Sequence, residues 1–310
     1  MLAAVFEGEG RLTLTDRPIP TIKKPTDVLI KVTGVGICGT DLHILQVPPA
    51  HPARRGIIQG HEFTGVVAEA GSAASEFKNG DQVVIDPHPG CGQCSRCRAG
   101  YPDQCLTLLA ASGEPGHPGT IGIFSDGGFA RFAVVPFYGL YKVRKPIPSH
   151  LAALAEPLAC VLHATGKLGT RPGDSVVVLG AGPIGCLFTA VLKKAGASQV
   201  IVVEPSEYRR GIAVKCGATR TVDPGAENVA QVVADLTGEG ADIVVEAVGP
   251  LFVTAMSLAR FGGTIMQFGH DELARPEVPI KEIIKKELTI HGGFIGRYSF
   301  HRVARILEAG

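Results

Sequence analysis

The chain has 310 residues, of which 45% are hydrophobic and 19% are charged, and its formal net charge at pH 7 is +1. This length is enough for two domains, and the near-neutral charge argues against nucleic acid or an anionic membrane as a partner. No signal peptide or membrane span is expected, because the N-terminus is acidic and the longest apolar run is broken by glycines. Eight cysteines without an export signal favour metal binding over disulfides, and we expect a cytoplasmic location.

The beginning of the chain is predicted to be β-structure. Residues 1–37 contain short apolar and β-branched runs that prolines and glycines separate. Strand-like and helix-like segments begin to alternate only after about residue 150. This change of pattern predicts a mainly β domain over 1–149 and an α/β domain that begins near residue 150.

Thiol and imidazole side chains appear after the first strands. Cys38-Gly-Thr40-Asp41-Leu-His43 follows an apolar strand, and Gly60-His61-Glu62 comes later. A lone cysteine is usually a small core residue, and a lone histidine is usually only hydrogen-bonded. Together the two types supply the mixed sulfur and nitrogen ligands that zinc prefers.

Four closely spaced cysteines predict a second metal site. Cys91, Cys94, Cys97 and Cys105 lie in a loop rich in glycine, proline and arginine. Four thiolates at this spacing can close a tetrahedral shell around one Zn²⁺, which leaves no open position and indicates a structural role. An iron–sulfur cluster and disulfides are the alternatives.

The region between the cysteines and the α/β part contains one further candidate ligand. Residues 107–129 show no periodicity and are predicted to form a loop that leads into a strand. Residues 151–168 have helical spacing and include Glu156-Pro157-Leu158. A carboxylate in this apolar run is costly to bury unless it is paired or bound to a cation, so Glu156 is a candidate metal ligand.

The region around residue 180 predicts a dinucleotide-binding turn. The β-branched run 175–179 leads into Gly180-x-Gly182-x-x-Gly185 and then into a helical pattern that Gly196 ends. These glycines permit a tight bend, a close approach of the pyrophosphate and close packing of helix and strand. The N-terminus of the helix attracts phosphate groups. The order of strand, glycines and helix favours this interpretation over a plain glycine-rich turn.

A second strand, 199–203, ends in Glu204, which is placed to accept hydrogen bonds from the adenosine ribose. A carboxylate there would repel a 2′-phosphate, so we expect NAD, with NADP as the alternative because Arg209 and Arg210 follow. The candidate cofactor-binding residues are Gly180, Gly182, Pro183, Ile184, Gly185, Glu204 and Arg209. Strands and helices alternate as far as a sixth strand at 288–292, which predicts a doubly wound parallel sheet.

Two of these motifs together resemble a known family. Gly60-His61-Glu62-x-x-Gly65-x5-Gly71-x-x-Ala74 matches the signature of the zinc-containing alcohol dehydrogenases, which belong to the medium-chain dehydrogenase/reductase family, and Cys38-Gly-Thr40-Asp41 resembles its first zinc-ligand segment. The resemblance extends over essentially the whole chain. It implies an α/β fold with a mainly β, GroES-like catalytic domain at 1–149, completed by 295–310. That domain carries a structural-zinc lobe and is joined to a Rossmann domain at 150–294.

The resemblance also implies the chemistry. The protein would be a zinc-dependent oxidoreductase that transfers a hydride from a secondary alcohol or polyol to NAD, giving a ketone and NADH. Cys38 and His61 would hold the catalytic Zn²⁺, with Glu156 preferred as third ligand, Glu62 next and Cys160 a more distant option. The four cysteines would hold the structural Zn²⁺.

The resemblance further implies that Thr40 takes the proton of the alcohol and passes it through the nicotinamide ribose to His43. Asp41 and Glu62 would orient the ligands and tune the charge of the metal. Cys38-Gly-Thr40-Asp41 and Glu156-Pro157-Leu158 resemble the polyol and secondary-alcohol branch of the family, which includes sorbitol-like, butanediol and threonine dehydrogenases. The expected partner is a small alcohol or polyol, and because the family is usually dimeric or tetrameric we expect a homo-oligomer.

The sequence leaves two alternative functions open. Family members continue after a helix such as 301–307 with a further strand and helix, whereas this chain ends at residue 310. A catalytically inactive dinucleotide-binding form is therefore the first alternative. The second is a zinc-independent quinone-type reductase, against which the full set of zinc ligands argues.

Overall fold

The computed structural model describes residues 1–309 and divides into two compact units. The first unit contains residues 1–159 and the segment from Gly296 onward, and the second contains residues 160–295. The sequence placed the first boundary at 149/150, whereas the structure places it within a helix, Ala155–Thr165. A continuous helix carries no turn or linker signal, so the sequence pattern could not mark this position.

The first unit is built on antiparallel strands. They are β1 (Leu2–Gly8), β2 (Arg11–Asp16), β3 (Asp27–Val35), β4 (Phe63–Ala70), β5 (Gln82–Ile85), β6 (Phe132–Pro136) and β7 (Leu140–Lys142). β1 and β2 form a hairpin, and the others form a five-stranded sheet in the order β6-β3-β4-β5-β7. Side chains on one face of this sheet, including Ile30, Phe63 and Val83, pack into an apolar core.

Short helices connect these strands. They are α1 (Gly39–Ile44), α2 (Ser95–Arg98), α3 (Leu106–Ser112), α4 (Ser149–Ala152) and α5 (Ala155–Thr165). The predicted loop at 107–129 is wrong at its beginning, where α3 forms. Leucine and alanine are good helix formers, and Gly113, with φ of 77°, ends this helix. The single helix predicted over 151–168 is instead the pair α4 and α5.

The second unit contains a parallel sheet. Its strands are β8 (Ser175–Leu179), β9 (Gln199–Val203), β10 (Arg220–Val222), β11 (Ala241–Glu246), β12 (Ala259–Gln267) and β13 (Thr289–Gly292). Their order is β10-β9-β8-β11-β12-β13, and every neighbouring pair is parallel. The predicted doubly wound sheet of six strands is confirmed. The chain order reverses between β8 and β11, and such a switch point is where these sheets bind ligands.

Helices cover both faces of this sheet. They are α6 (Pro183–Lys194), α7 (Glu207–Lys215), α8 (Val229–Thr237), α9 (Phe252–Leu258) and α10 (Ile280–Lys286). Val176 and Val178 pack into one apolar cluster, while Val177 and Leu179 pack into another. Because successive side chains of a strand point to opposite faces, a strand buried on both faces is a continuous apolar run.

The last helix, α11 (Phe300–Ala309), belongs to the first unit. Phe300 stacks on Tyr141 of β7 with 5.4 Å between ring centroids. Glu308 accepts a hydrogen bond of 2.5 Å from the backbone N–H of Arg144. These contacts attach the C-terminal segment to the β-sheet of the first unit.

Within residues 1–309, no helix combines the length and the apolar character that crossing a membrane requires.

Candidate active site

Three potential metal ligands meet in the first unit. One ligand atom each from Cys38, His61 and Glu62 lies within 4.8 Å of the others. Cys38 immediately precedes α1, and the other two immediately precede β4. Because β3 and β4 pair with Val35 opposite Phe63, the residues that follow β3 lie beside those that precede β4. Antiparallel pairing therefore assembles a site whose ligands are distant in sequence.

Gly36 makes room for this group, and the sequence analysis missed it. Its backbone N–H donates a 2.7 Å hydrogen bond to the carbonyl oxygen of Glu62. A Cβ atom at position 36 would lie only 2.3 Å from Glu62 Oε2. The glycine between a strand and a candidate ligand is the signal that could have identified this position.

Glu62, which belongs to this group, and Asp41, which lies beside it, are both buried acids. Burial raises the pKa of Glu62 to about 7 and that of Asp41 to about 6. Burial, together with the charges of Glu62 and Glu156, also raises the pKa of the Cys38 thiol. Burial lowers the pKa of His61 to about 4, so its imidazole is neutral near pH 7. A divalent cation would stabilise the ionised acids, and thiolate, imidazole and carboxylate are all zinc ligands.

Asp41 contacts both Cys38 and His61. Its Oδ2 accepts a 2.9 Å hydrogen bond from the backbone N–H of Cys38. Its Oδ1 lies 3.7 Å from His61 Nδ1, and both atoms are buried without a hydrogen-bond partner among residues 1–309. A small approach would pair them and leave His61 Nε2 for a metal, the arrangement usual for histidine ligands.

Glu156 lies near this group but is not part of it. It is buried in the first turn of α5, and its charge contributes to the raised pKa of Cys38. Among the described residues, the carboxylate grouped with Cys38 and His61 is that of Glu62. The sequence analysis had preferred Glu156 as third ligand.

The two residues assigned to proton transfer lie on α1. Thr40 is in its first turn and hydrogen-bonds to the Cys38 thiol, which opposes the rise of that thiol's pKa. His43 is half-buried, and its carbonyl accepts a 3.0 Å hydrogen bond from Ala50. Residues three apart lie on the same side of a helix, so Thr40 and His43 share one side of α1.

The four cysteines form a compact group, which we call the cysteine lobe. One sulfur atom from each of Cys91, Cys94, Cys97 and Cys105 lies within 4.8 Å of the others. The Thr107 hydroxyl donates to Cys91 Sγ at 3.2 Å, and two backbone N–H groups donate to the same sulfur at 3.3 and 3.4 Å. These hydrogen bonds, that of Thr107 first, lower the pKa of Cys91 to about 6.

All eight cysteines of the chain are free thiols, and the disulfide alternative is not what the structure shows. A lowered thiol pKa and converging sulfur atoms suit a metal bound by thiolates.

An ion pair connects the cysteine lobe with the segment before α11. Arg297 contacts both carboxylate oxygens of Asp103, at 2.6 and 2.7 Å. Its guanidinium carbon also lies 4.5 Å from the centre of the Tyr101 ring. Asp103 is buried, so this paired geometry contributes more than an exposed ion pair would. The sequence analysis missed it, since residues 103 and 297 are brought together only by the fold.

The glycine turn of the second unit has the expected geometry. Gly180 has φ of +95°, and Gly182 precedes the first residue of α6, Pro183. A Cβ atom at position 185 would lie 2.0 Å from the carbonyl oxygen of Gly180, so only glycine fits there. Ile184 packs partly against the apolar core. The turn leaves the N-terminus of α6 at the switch point, where it can bind phosphate.

Glu204 lies beside this turn. Its two carboxylate oxygens accept hydrogen bonds from the N–H groups of Ala181, at 2.9 Å, and Ser206, at 3.0 Å. The Arg210 guanidinium binds the Glu204 carbonyl at 2.8 Å and the Asp223 carboxylate at 3.1 Å. Arg209 is exposed at the start of α7. Each carboxylate oxygen can accept a second hydrogen bond, so Glu204 retains capacity for a ribose hydroxyl.

The chain resembles two domain models and several known proteins. Residues 24–145 match the model of the alcohol dehydrogenase GroES-like domain, and residues 183–309 match that of the zinc-binding dehydrogenases. The whole chain aligns at 36% identity with D-xylulose reductase A of Aspergillus niger, of which the alignment covers 86%.

Two solved structures resemble the full chain. One is a protein from Sinorhizobium meliloti 1021, described as a zinc-binding dehydrogenase and bound to NADP, with a TM-score of 0.91 and 34% identity over 88% of its length. The other is the alcohol dehydrogenase of Thermus sp. ATN1, with a TM-score of 0.89 and 30% identity over 89% of its length.

Proposed function

Because the chain belongs to the zinc-containing alcohol dehydrogenase family, we propose that it interconverts a secondary hydroxyl of a polyol and the corresponding ketone with NAD. The observation that carries this proposal is the buried group of Cys38, His61 and Glu62. The similarity to D-xylulose reductase A supports a polyol as substrate class. None of these relatives favours an inactive dinucleotide-binding form or a quinone-type reductase.

Cys38, His61 and Glu62 would hold the catalytic zinc, with Glu156 as the alternative carboxylate. When bound, Zn²⁺ acts as a Lewis acid that lowers the pKa of a hydroxyl group at its open position. Asp41 holds the backbone of Cys38 and faces the ring of His61, so it orients two of the ligands. The cysteine lobe would hold a second zinc with a purely structural role.

Two residues of α1 would move the proton of the substrate. The Thr40 hydroxyl lies beside the Cys38 sulfur and can accept the proton of the substrate hydroxyl while it releases its own proton. His43 is on the same side of α1 and half-buried, so its imidazole can pass the proton to solvent.

The residues around the glycine turn support NAD over NADP. Glu204 is a buried carboxylate beside the turn and would repel a 2′-phosphate. Of the two arginines that left NADP as the alternative, Arg210 is engaged by Asp223 and backbone carbonyls. We expect a higher kcat/KM with NAD than with NADP.

The direct test compares two histidine variants. In His61→Ala, polyol oxidation followed by NADH absorbance should fall by at least about 1,000-fold, because a metal ligand is lost. Metal analysis should show that the zinc of the buried group is lost and that of the cysteine lobe is kept. The matched control is His150→Ala, which removes an exposed imidazole and should change neither quantity.

Full turnover in His61→Ala would refute the assignment of the buried group. Wild-type activity that survives a zinc chelator would refute the role of the metal. A panel of polyols, vicinal diols and primary alcohols, each with NAD and with NADP, determines the substrate class and the cofactor in the same assay.

A further inference from the structure

One fully buried carboxylate of the second unit lies at the sheet edge where a dinucleotide would bind and has no part in the proposed chemistry. Glu246 ends β11 and has no exposed surface. In register it lies between Leu179, the last residue of β8, and Gln267, the last residue of β12. It therefore occupies the carboxyl edge of the sheet directly at the switch point between β8 and β11.

The Glu246 side chain connects two segments that follow these strands, residues 247–249 and 268–269, which we call the edge loops. Oε1 accepts hydrogen bonds from the N–H groups of Val248, at 2.9 Å, and Gly249, at 2.8 Å. Oε2 accepts from Gly249 at 2.9 Å and from Gln267 Nε2 at 2.6 Å. Every partner is a donor, which suits an acceptor-only carboxylate.

The backbone of Glu246 holds the same loops. Its carbonyl oxygen accepts hydrogen bonds from Phe268, at 2.9 Å, and Gly269, at 2.8 Å. A Cβ atom at Gly269 would lie 2.2 Å from the nitrogen of Gly249 and 2.6 Å from Glu246 Oε2. The two edge loops therefore pack directly on each other, with the Glu246 carboxylate as their shared acceptor.

The first edge loop also contacts the glycine turn. A Cβ atom at Gly180 would lie 2.8 Å from a methyl carbon of Val248, whose side chain is otherwise 46% exposed. Glu246 thus holds Val248 beside the glycine turn, with the apolar residue partly exposed. In a doubly wound sheet, the half that contains β8 and β9 binds the adenosine part of a dinucleotide, and the half that contains β11 and β12 binds the rest.

We propose that Glu246 is a positioning residue for the nicotinamide half of the cofactor, which it serves by fixing the edge loops through their N–H groups. This inference rests on the proposed function, since it requires a nicotinamide dinucleotide as ligand. Glu204 lies beside the turn that receives the pyrophosphate, on the adenosine half. The two buried carboxylates therefore organise opposite halves of one dinucleotide site.

The test separates the two halves by comparing NADH with ADP-ribose, which lacks the nicotinamide. Glu246→Gln keeps one acceptor oxygen for Val248 and Gly249 and places an amide N–H₂ where Oε2 accepts from Gly249 and Gln267, so the hydrogen bonds on that side are lost and the edge loops are held less firmly. Calorimetric titration of this variant should show NADH binding weakened about tenfold, while ADP-ribose binding stays within about twofold of wild type. A purely structural role would weaken both ligands equally or neither.

Asp242→Asn is the matched control. Asp242 is a carboxylate on the same strand whose oxygens accept from Ser175 and Arg260, near the opposite end of β11. Its loss should lower the melting temperature without changing the ratio of NADH to ADP-ribose affinity. An equal change of that ratio in both variants would overturn the proposal.

Gln267→Met keeps the inference testable if Glu246→Gln does not fold. It removes the amide that donates to Glu246 and, at 3.2 and 3.1 Å, to the carbonyls of Gly249 and Gly269. We expect the same selective loss of NADH affinity at about threefold, and an unchanged ratio would overturn the proposal. Wild-type protein that binds neither ligand would instead contradict the proposed function, which distinguishes the two failures.

Discussion

The two candidate metal sites of the first unit are built in opposite ways. The cysteine lobe takes all four ligands from one short stretch, Cys91 to Cys105, and its own backbone N–H groups point at the sulfur atoms. The group of Cys38, His61 and Glu62 forms only because β3 pairs with β4. The ligands of the first site are close together in sequence, whereas those of the second site are brought together by strand pairing.

The pKa shifts of the side chains also differ between the two sites. In the lobe, hydrogen bonds from Thr107 and the backbone lower the pKa of Cys91 to about 6, which stabilises a thiolate at that position, whereas burial raises the pKa of Cys97 to about 12. In the buried group, burial raises the pKa of Glu62 to about 7 and of Asp41 to about 6, so the ionised acids depend on a cation. We therefore expect loss of metal from the lobe to affect stability and loss of metal from the buried group to affect chemistry.

A buried segment after β5 lies between the two sites. The backbone N–H of His88 donates to Asp86 Oδ1 at 2.8 Å, and His88 Nε2 lies 2.7 Å from the Thr120 hydroxyl. Burial lowers the pKa of His88 to about 3, with a further contribution from His61. Burial raises the pKa of Asp86 to about 7, with a further contribution from Asp103 of the lobe.

After His61→Ala, the largest expected effect comes from removing the space for Glu62. In Gly36→Ala, the new Cβ would lie 2.3 Å from Glu62 Oε2, so the carboxylate must leave its position. We expect turnover to fall on the order of 100-fold, with loss of the zinc of the buried group and retention of that of the lobe. Steady-state kinetics and metal analysis measure both quantities.

Gly39→Ala provides the control for that variant, because a Cβ there would meet nothing within 4 Å and the site lies in the same segment. If Gly36→Ala kept wild-type zinc content and turnover, Glu62 could not be the third ligand, and Glu156 would take its place.

The second effect should appear in stability rather than activity. Cys105 is fully buried in the lobe, and Cys105→Ser removes one of the four sulfur ligands. We expect the zinc of the lobe to be lost and the melting temperature to fall by roughly 5 °C, while turnover at room temperature stays within about twofold. Cys216→Ser, which alters a half-buried thiol of the second unit, should retain both zinc ions. Loss of activity in proportion to zinc at the lobe would contradict the division between the sites.

The smallest effect concerns the segment between the sites and depends on pH. An acid whose pKa is higher in the folded state than in the unfolded state lowers the free energy of unfolding as the pH rises from the unfolded to the folded pKa. For Asp86 this cost begins near its unfolded pKa of 3.8 and is complete above about 7. Asp86→Asn removes this cost. The free energy of unfolding of the variant minus that of wild type should therefore increase by on the order of 2 kcal/mol between about pH 5 and about pH 8.

Urea unfolding of both proteins at the two pH values measures this difference, in which the contributions of His61 and His88 cancel. An identical difference at both pH values would show that Asp86 ionises in the folded protein as freely as in the unfolded chain.

The sequence alone determined the features whose residues are neighbours along the chain. The four cysteines predict a metal lobe because their spacing is local, and the run 175–185 predicts a strand, a glycine turn and a helix because each glycine meets a local steric requirement. The alternation of strands and helices after residue 150 was enough to predict the parallel sheet.

Only the tertiary structure decided which distant residues meet. Spacing could not rank Glu62 against Glu156, because that choice depends on how β4 and α5 approach Cys38. The steric contact between position 36 and Glu62 and the hydrogen bond from Gln267 to Glu246 likewise depend on the fold, since each joins residues of different segments. Local patterns encode local geometry, whereas the buried acids take their pKa values and their partners from the packing of the whole unit.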